Sequence, residues 1–180
     1  MSGSREHGRG REGHEHDHEH DHEHEHDERG EHDALHLEMH RAVDELGKYA
    51  IEIDISSESG ISKDVVKQAI GEAMRESTLN CMRNGADLIG HTKSFLLCAD
   101  GNIMSSLLDE YKPIRIKDDV DSEVIHDAKF ILHVIVHGIW DDKVRECTLA
   151  AVPGVFGRFN IPYRVAADYY DLEKSIAHHL

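Results

Sequence analysis

Seven histidines recur at every second position from His14 to His26, in the run HEHDHEHDHEHEHD, with Glu or Asp between them. Imidazole is a common ligand for zinc, nickel and copper. It binds as the neutral form, and its ordinary pKa of about 6.5 leaves it mostly neutral at pH 7. In an extended chain, residues i and i+2 point the same way, about 6.5–7 Å apart. Metal–nitrogen bonds of about 2.0–2.1 Å let neighbours on a pliable chain converge on one ion. His14, His16, His18, His20, His22, His24 and His26, with His32 beyond them, therefore form a strip with many equivalent registers. The intervening carboxylates concentrate cations. Several ions per chain, fast exchange and modest selectivity among Cu(II), Ni(II) and Zn(II) are expected.

The rest of the chain has sparser chemistry. His133 and His137 lie in KFILHVIVHGI, residues 129–139, which reads as a strand. Period two puts them on one face but about 13 Å apart, too far to share an ion unaided. His91 shares a strand face with Lys93 and Phe95, while Thr92, Ser94, Leu96 and Cys98 take the other. If the strands of His91 and His133 pair on the same face, the two imidazoles meet, and Cys98 or Cys147 could add a thiolate. The expectation is that His133 and His137 are each a core or edge histidine with a local hydrogen bond, and a core metal site from His91, His133 and His137 is the alternative. The segment Gly90-His91-Thr92-Lys93 could instead hold a polar ligand, with His91 as acid or base and Lys93 opposite an anion. Pro153-Gly154-Val155-Phe156-Gly157-Arg158 is too loose for a phosphate loop and reads as a helix break. His178 and His179 are expected to be exposed. No Walker loop, H-E-x-x-H, G-x-S-x-G or paired-cysteine zinc pattern occurs.

Charge narrows the partners. The 180 residues carry 20 basic and 36 acidic side chains, a formal net charge of −16. Residues 1–40 hold 13 acids against 4 arginines, about −9 of that total, and 11 of the 17 histidines. This excess argues against nucleic-acid phosphates and anionic membranes as partners. No apolar run approaches the roughly 18 residues of a membrane span, and the N-terminal residues lack a signal-peptide pattern. Cys81, Cys98 and Cys147 are odd in number and widely spaced, which suits a reducing cytoplasm.

Three regions must position these groups. Residues 1–33 contain almost no apolar side chain and read as a disordered metal-binding tail. Leu35, Met39, Val43 and Leu46 recur at helical spacing, so 34–47 reads as a linker helix. Residues 48–180 read as an α+β (or α/β) domain with helices on a mixed sheet. Its expected elements are a strand over 49–55, a loop at SSESG and a helix over 62–84 capped by Ser62 and stopped at Asn84-Gly85. A strand over 87–98 and a turn at 99–102 follow. The return over 103–109 reads as either strand or short helix. An edge strand at 114–117, the strand 129–139, a helix from 142 to about 151, a strand at 163–167 and a closing helix over 169–178 complete the order. Two β-α-β halves suit a ferredoxin-like arrangement.

The tail resembles the His-rich segments of nickel and zinc accessory proteins, namely hydrogenase and urease maturation factors, and the His-rich loops of some metal transporters. The resemblance covers about residues 14–40, and residues 41–180 resemble no family. It implies storage, buffering or delivery of nickel or zinc, with transition-metal ions as cargo and a client metalloprotein as recipient. Two other readings stand beside it. One is a small enzyme in which His91, Lys93, His133 and His137 line a cleft. The other is a homo-oligomeric interaction module, assembled through an edge strand such as Ile114–Lys117.

Overall fold

A computed structural model describes residues 46–170. The chain divides into two units, Met1–Glu38 and Met39–Leu180, and all the described residues belong to the second. The histidine strip, nearly all of the linker helix, the closing helix from residue 171 on, and His178 and His179 lie outside the described residues.

Six strands and two helices follow one another as β1 (Leu46–Ser62), α1 (Lys63–Arg83), β2 (Leu88–Cys98), β3 (Gly101–Leu107), β4 (Arg115–Asp118), β5 (Val124–His137), α2 (Asp141–Arg158) and β6 (Tyr163–Asp168). The strands form one sheet in the order β4-β3-β2-β5-β1-β6. Every neighbouring pair is antiparallel. The expected α+β architecture is present, but the mixed sheet is not. The physical reason is that each helical connection skips a strand. α1 carries the chain from β1 past β5 to β2, and α2 carries it from β5 past β1 to β6. The strands joined by helices run parallel but are never neighbours, because an antiparallel strand fills the gap between them.

The strand sequences explain which face is dry. Along β5, Ile125, Ala128, Phe130, Leu132, Val134 and Val136 are buried, while Lys129, Ile131, His133, Ile135 and His137 are not. On β1 the buried set is Tyr49, Ile51, Ile53 and Ile55. The helices cover this face. α1 contributes Val66, Ala69, Ile70, Ala73, Met74 and Cys81 to the core, and α2 contributes Val144, Cys147, Val152, Val155 and Phe156. Phe156 packs on Phe130 at 5.8 Å and edge-on to Tyr163 at 5.2 Å between ring centroids. At the α1–sheet seam, Thr78 donates to the Met74 carbonyl at 2.8 Å and shares a buried 2.8 Å hydrogen bond with Thr92.

Local departures from the sequence reading have identifiable causes. β1 runs through SSESG, because residues 57–60 form a bulge opposite His126, between the pairs Ser56–Asp127 and Ile61–Ile125. Gly60 takes a left-handed φ of 72° there, and His126 Nδ1 donates to the Ser57 carbonyl. β1 also begins at Leu46, which the periodicity placed in the linker helix. Ser62 occupies the α1 N-cap position, but its side chain makes no capping bond; the Lys63 amide instead donates to the Glu123 carbonyl at 2.9 Å. The stop at Asn84-Gly85 is as expected, with Gly85 at φ 109° and the Ala86 amide returning to the Cys81 carbonyl. Residues 101–107 form a strand, which resolves the open choice. α2 continues through Pro153 to Arg158. Proline costs a helix one amide donor and crowds the carbonyl four residues before it. Here Pro153 faces solvent, while Val152, Val155 and Phe156 anchor the helix on both sides of it. The glycine-containing segment is thus helical and forms no loop that could cradle a phosphate.

Phe130→Ala should lower the unfolding free energy by about 3–5 kcal/mol in urea titrations, as expected for an aromatic removed from a closed core. Leu97→Ala, on the uncovered face, should stay within about 0.5 kcal/mol of the parent. Equal losses at the two positions would mean that both faces of the sheet are covered.

Candidate functional site

Among the described residues, no element covers the side of the sheet away from the helices, and the composition of that side is not uniform. Strand registers arrange its side chains in rows running across the strands. At one end, Asn102, Leu97, Lys129, Asp54 and Arg164 form a row, and all but Asn102 line, with Ser56 and Asp127, a groove of about 670 Å³. Each of its charges has a partner. Lys129 pairs with Glu52, Arg164 pairs with Asp54, and Ser56 donates to Asp127 at 2.7 Å. The next row, Lys117, Met104, Phe95, Ile131 and Glu52, is apolar at its centre and charged at both ends.

The two rows beyond it differ. Arg115, Ser106, Lys93, His133 and Ala50 stand opposite one another across five strands. His91, Ile135 and Lys48 make the neighbouring row. These two rows hold five basic side chains (Arg115, Lys93, His133, His91 and Lys48) and no carboxylate. A register shift between Ile89 and His91 brings His91 into this row as a diagonal neighbour of His133. The two rings lie 5.9 Å apart, edge to face. The juxtaposition of His91 and His133 expected from strand pairing is present. The side chain of Lys93, directly opposite His133, makes no hydrogen bond or ion pair among the described residues.

His137 is on the same face of β5 but does not join them. Its Nδ1 donates to Asp87 at 2.7 Å, and that bond holds the Asp87 carboxyl below the usual carboxylate range. The thiols do not join them either. Cys98 sits on the helix side of β2, and Cys147 contacts Cys81 between α1 and α2. Burial pushes the Cys81 thiol up to about 12 and raises Cys147 as well, so neither is poised as a thiolate. Among the described residues, no three His, Cys, Asp or Glu side chains gather as a metal-binding group. No helix among them is long and apolar enough to cross a membrane.

The electrostatics of the imidazole pair follow from its position. Partial burial lowers the His133 pKa first, and the nearby His91, Lys48 and Lys93 lower it further. Burial and Lys93 lower His91 in the same way. Beside His133, a pocket of about 50 Å³ is lined by Lys48, Ala50, Asp141, Tyr169 and Tyr170 as well. Asp141 faces it while accepting the Lys48 backbone amide at 2.7 Å. Strand alternation alone identified His91, Lys93 and His133. Arg115 and Lys48 were missed, because their membership depends on the register of β4 and β1, which no periodicity encodes.

No family model, curated protein or solved structure matches the chain.

Because the folded protein disfavours both imidazolium forms, the unfolded chain binds protons more readily, and stability falls as pH drops through the unfolded histidine value of about 6.5. In NMR titrations, His91 and His133 should protonate below that value. Lys93→Gln should move both midpoints upward by removing a neighbouring cation. Midpoints at or above 6.5, insensitive to Lys93, would contradict this electrostatic picture.

Proposed function

We propose that the protein is an accessory protein for nickel or zinc in the cytoplasm, binding the ion as cargo and passing it to a client metalloprotein. The observation that carries this reading is the unbroken alternation of imidazole and carboxylate from His14 to Asp27. Seven neutral nitrogen ligands at equivalent spacing favour multiple, exchangeable ions over one fixed centre. That is the behaviour suited to collection and release. Among the described residues, the domain brings together one imidazole pair, His91 and His133. Two ligands leave a tetrahedral ion half-coordinated, so the histidine strip and not the core sets the capacity.

The fold reading that accompanies this is ferredoxin-like. The order β2-β5-β1-β6, with two helical connections that each cross one strand, supports it, the β3–β4 ribbon being an addition at one edge.

Equilibrium dialysis of the full chain against Ni(II) and Zn(II) near pH 7.5 tests the proposal. More than one ion per chain is expected. Most of that capacity should vanish when His14, His16, His18, His20, His22, His24 and His26 are all replaced by Asn, and should survive His91→Asn with His133→Asn. Undiminished capacity in the seven-fold variant would overturn the reading.

A further inference from the structure

The open sheet face carries a second feature that metal collection does not use. The domain from residue 46 to residue 170 has 14 basic and 19 acidic side chains, so a lysine there is more often than not within reach of an acid. Three other cations of the face obey this rule, Lys48 being the exception: Lys129 has Glu52, Arg164 has Asp54, and Lys117 has Asp119 at 3.1 Å. Lys93 and Arg115 form no ion pair among the described residues, although they stand one strand apart on either side of Ser106. His133 faces Lys93 across the β2–β5 seam, and His91 is its diagonal neighbour. Apolar side chains border this nitrogen-rich strip on both sides. Phe95, 39% exposed, Ile131 and Met104 lie along one edge, Leu88, 61% exposed, lies along the other, and Ile135 stands between His91 and Lys48.

We propose that Lys93, His91 and His133 form a binding site for a small organic anion, a carboxylate or phosphate monoester whose apolar body rests on Phe95 and Ile131. The chemistry runs as follows. A lysine ammonium and two imidazoles supply donors to an anionic headgroup from one side, with Arg115 one strand beyond Ser106. The apolar row beside them offers a non-polar body a place out of water at about 25 cal/mol per Å² of area covered. Because the two imidazoles are neutral near pH 7, each offers one N–H donor without adding charge. The carboxylates nearest this strip are engaged elsewhere: Glu52 by Lys129 and Tyr169, and Asp141 by the Lys48 amide. They therefore do not occupy the donors that an incoming anion would use. The same cations disfavour a bare divalent ion at the imidazole pair, since like charges a few ångströms apart repel. This site is independent of the histidine strip, and its failure would leave the metal proposal standing.

The test uses the full chain, freed of metal on a chelating resin, with phenyl phosphate and benzoate as probes and inorganic phosphate as the probe lacking an apolar body. All are compared at constant ionic strength by NMR shifts of the His91, Lys93, Phe95 and His133 signals. Saturable shifts are expected with phenyl phosphate or benzoate, together with binding to inorganic phosphate at least tenfold weaker than to phenyl phosphate. Lys93→Gln should weaken phenyl phosphate at least tenfold, Lys93→Arg should retain most of it, and Lys117→Gln should leave it unchanged. Whichever probe binds more tightly tells a carboxylate site from a phosphate site. Shifts that do not saturate, that persist in Lys93→Gln, or that chloride reproduces at the same ionic strength would overturn the proposal. So would a response of these rings to Zn(II) but to none of the anions.

Discussion

Both helices cover the same face of the sheet, and the handedness of crossover connections requires this. A connection between parallel strands of one sheet is right-handed in nearly all proteins. α1 joins β1 to β2 while moving across the sheet in one direction. α2 joins β5 to β6 while moving in the other direction, starting from a strand that points the opposite way. Reversing both strand direction and displacement leaves the helix on the same side. One face is therefore closed by Phe130, Phe156 and their neighbours, and the other is left to whatever its own side chains can do.

That constraint makes the alternation within β5 informative in two ways. Phe130, Leu132, Val134 and Val136 pay for the core, whereas Lys129, Ile131, His133, Ile135 and His137 occupy the open face. A fully sandwiched strand would be apolar on both sides. The histidines and lysine within an otherwise β-branched segment mark a strand with one wet face. The same argument applies to β2, where Thr92, Ser94 and Leu96 turn toward the helices while Lys93, Phe95 and Leu97 turn away.

Much of this was legible from residue order. Strand and helix positions followed from periodicity, and so did the face shared by His91, Lys93 and Phe95, because both depend on neighbours along the chain. The parts that were not legible depend on neighbours across it. That His91 lies diagonal to His133 depends on a register shift at Ile89–His91, and Arg115 reaches the same row only through the β3–β4 register. Two of the errors of local reading have the same origin. SSESG resembles a loop but is held as a bulge, with Ser57 bonded to His126, and Pro153 resembles a helix stop but is outvoted by buried residues on both flanks. Tertiary contacts override local preference where burial on either side is strong enough.

The distribution of charge separates two kinds of chemistry in one chain. Residues 1–40 gather acids and imidazoles, a combination that draws cations. The open face of the sheet does the reverse. In the strand registers of its two central rows no carboxylate stands beside Arg115, Lys93, His133, His91 and Lys48, Asp141 of α2 reaching only the Lys48 end, although acids outnumber bases in the domain as a whole. Histidine is common to both regions, but its surroundings set its role. Between carboxylates an imidazole is a ligand for a positive ion. Between ammonium groups on a half-dry surface it is kept neutral, and its N–H becomes a donor for a negative one. A count of histidines would join the two regions into one metal site, whereas the charges around each imidazole divide them.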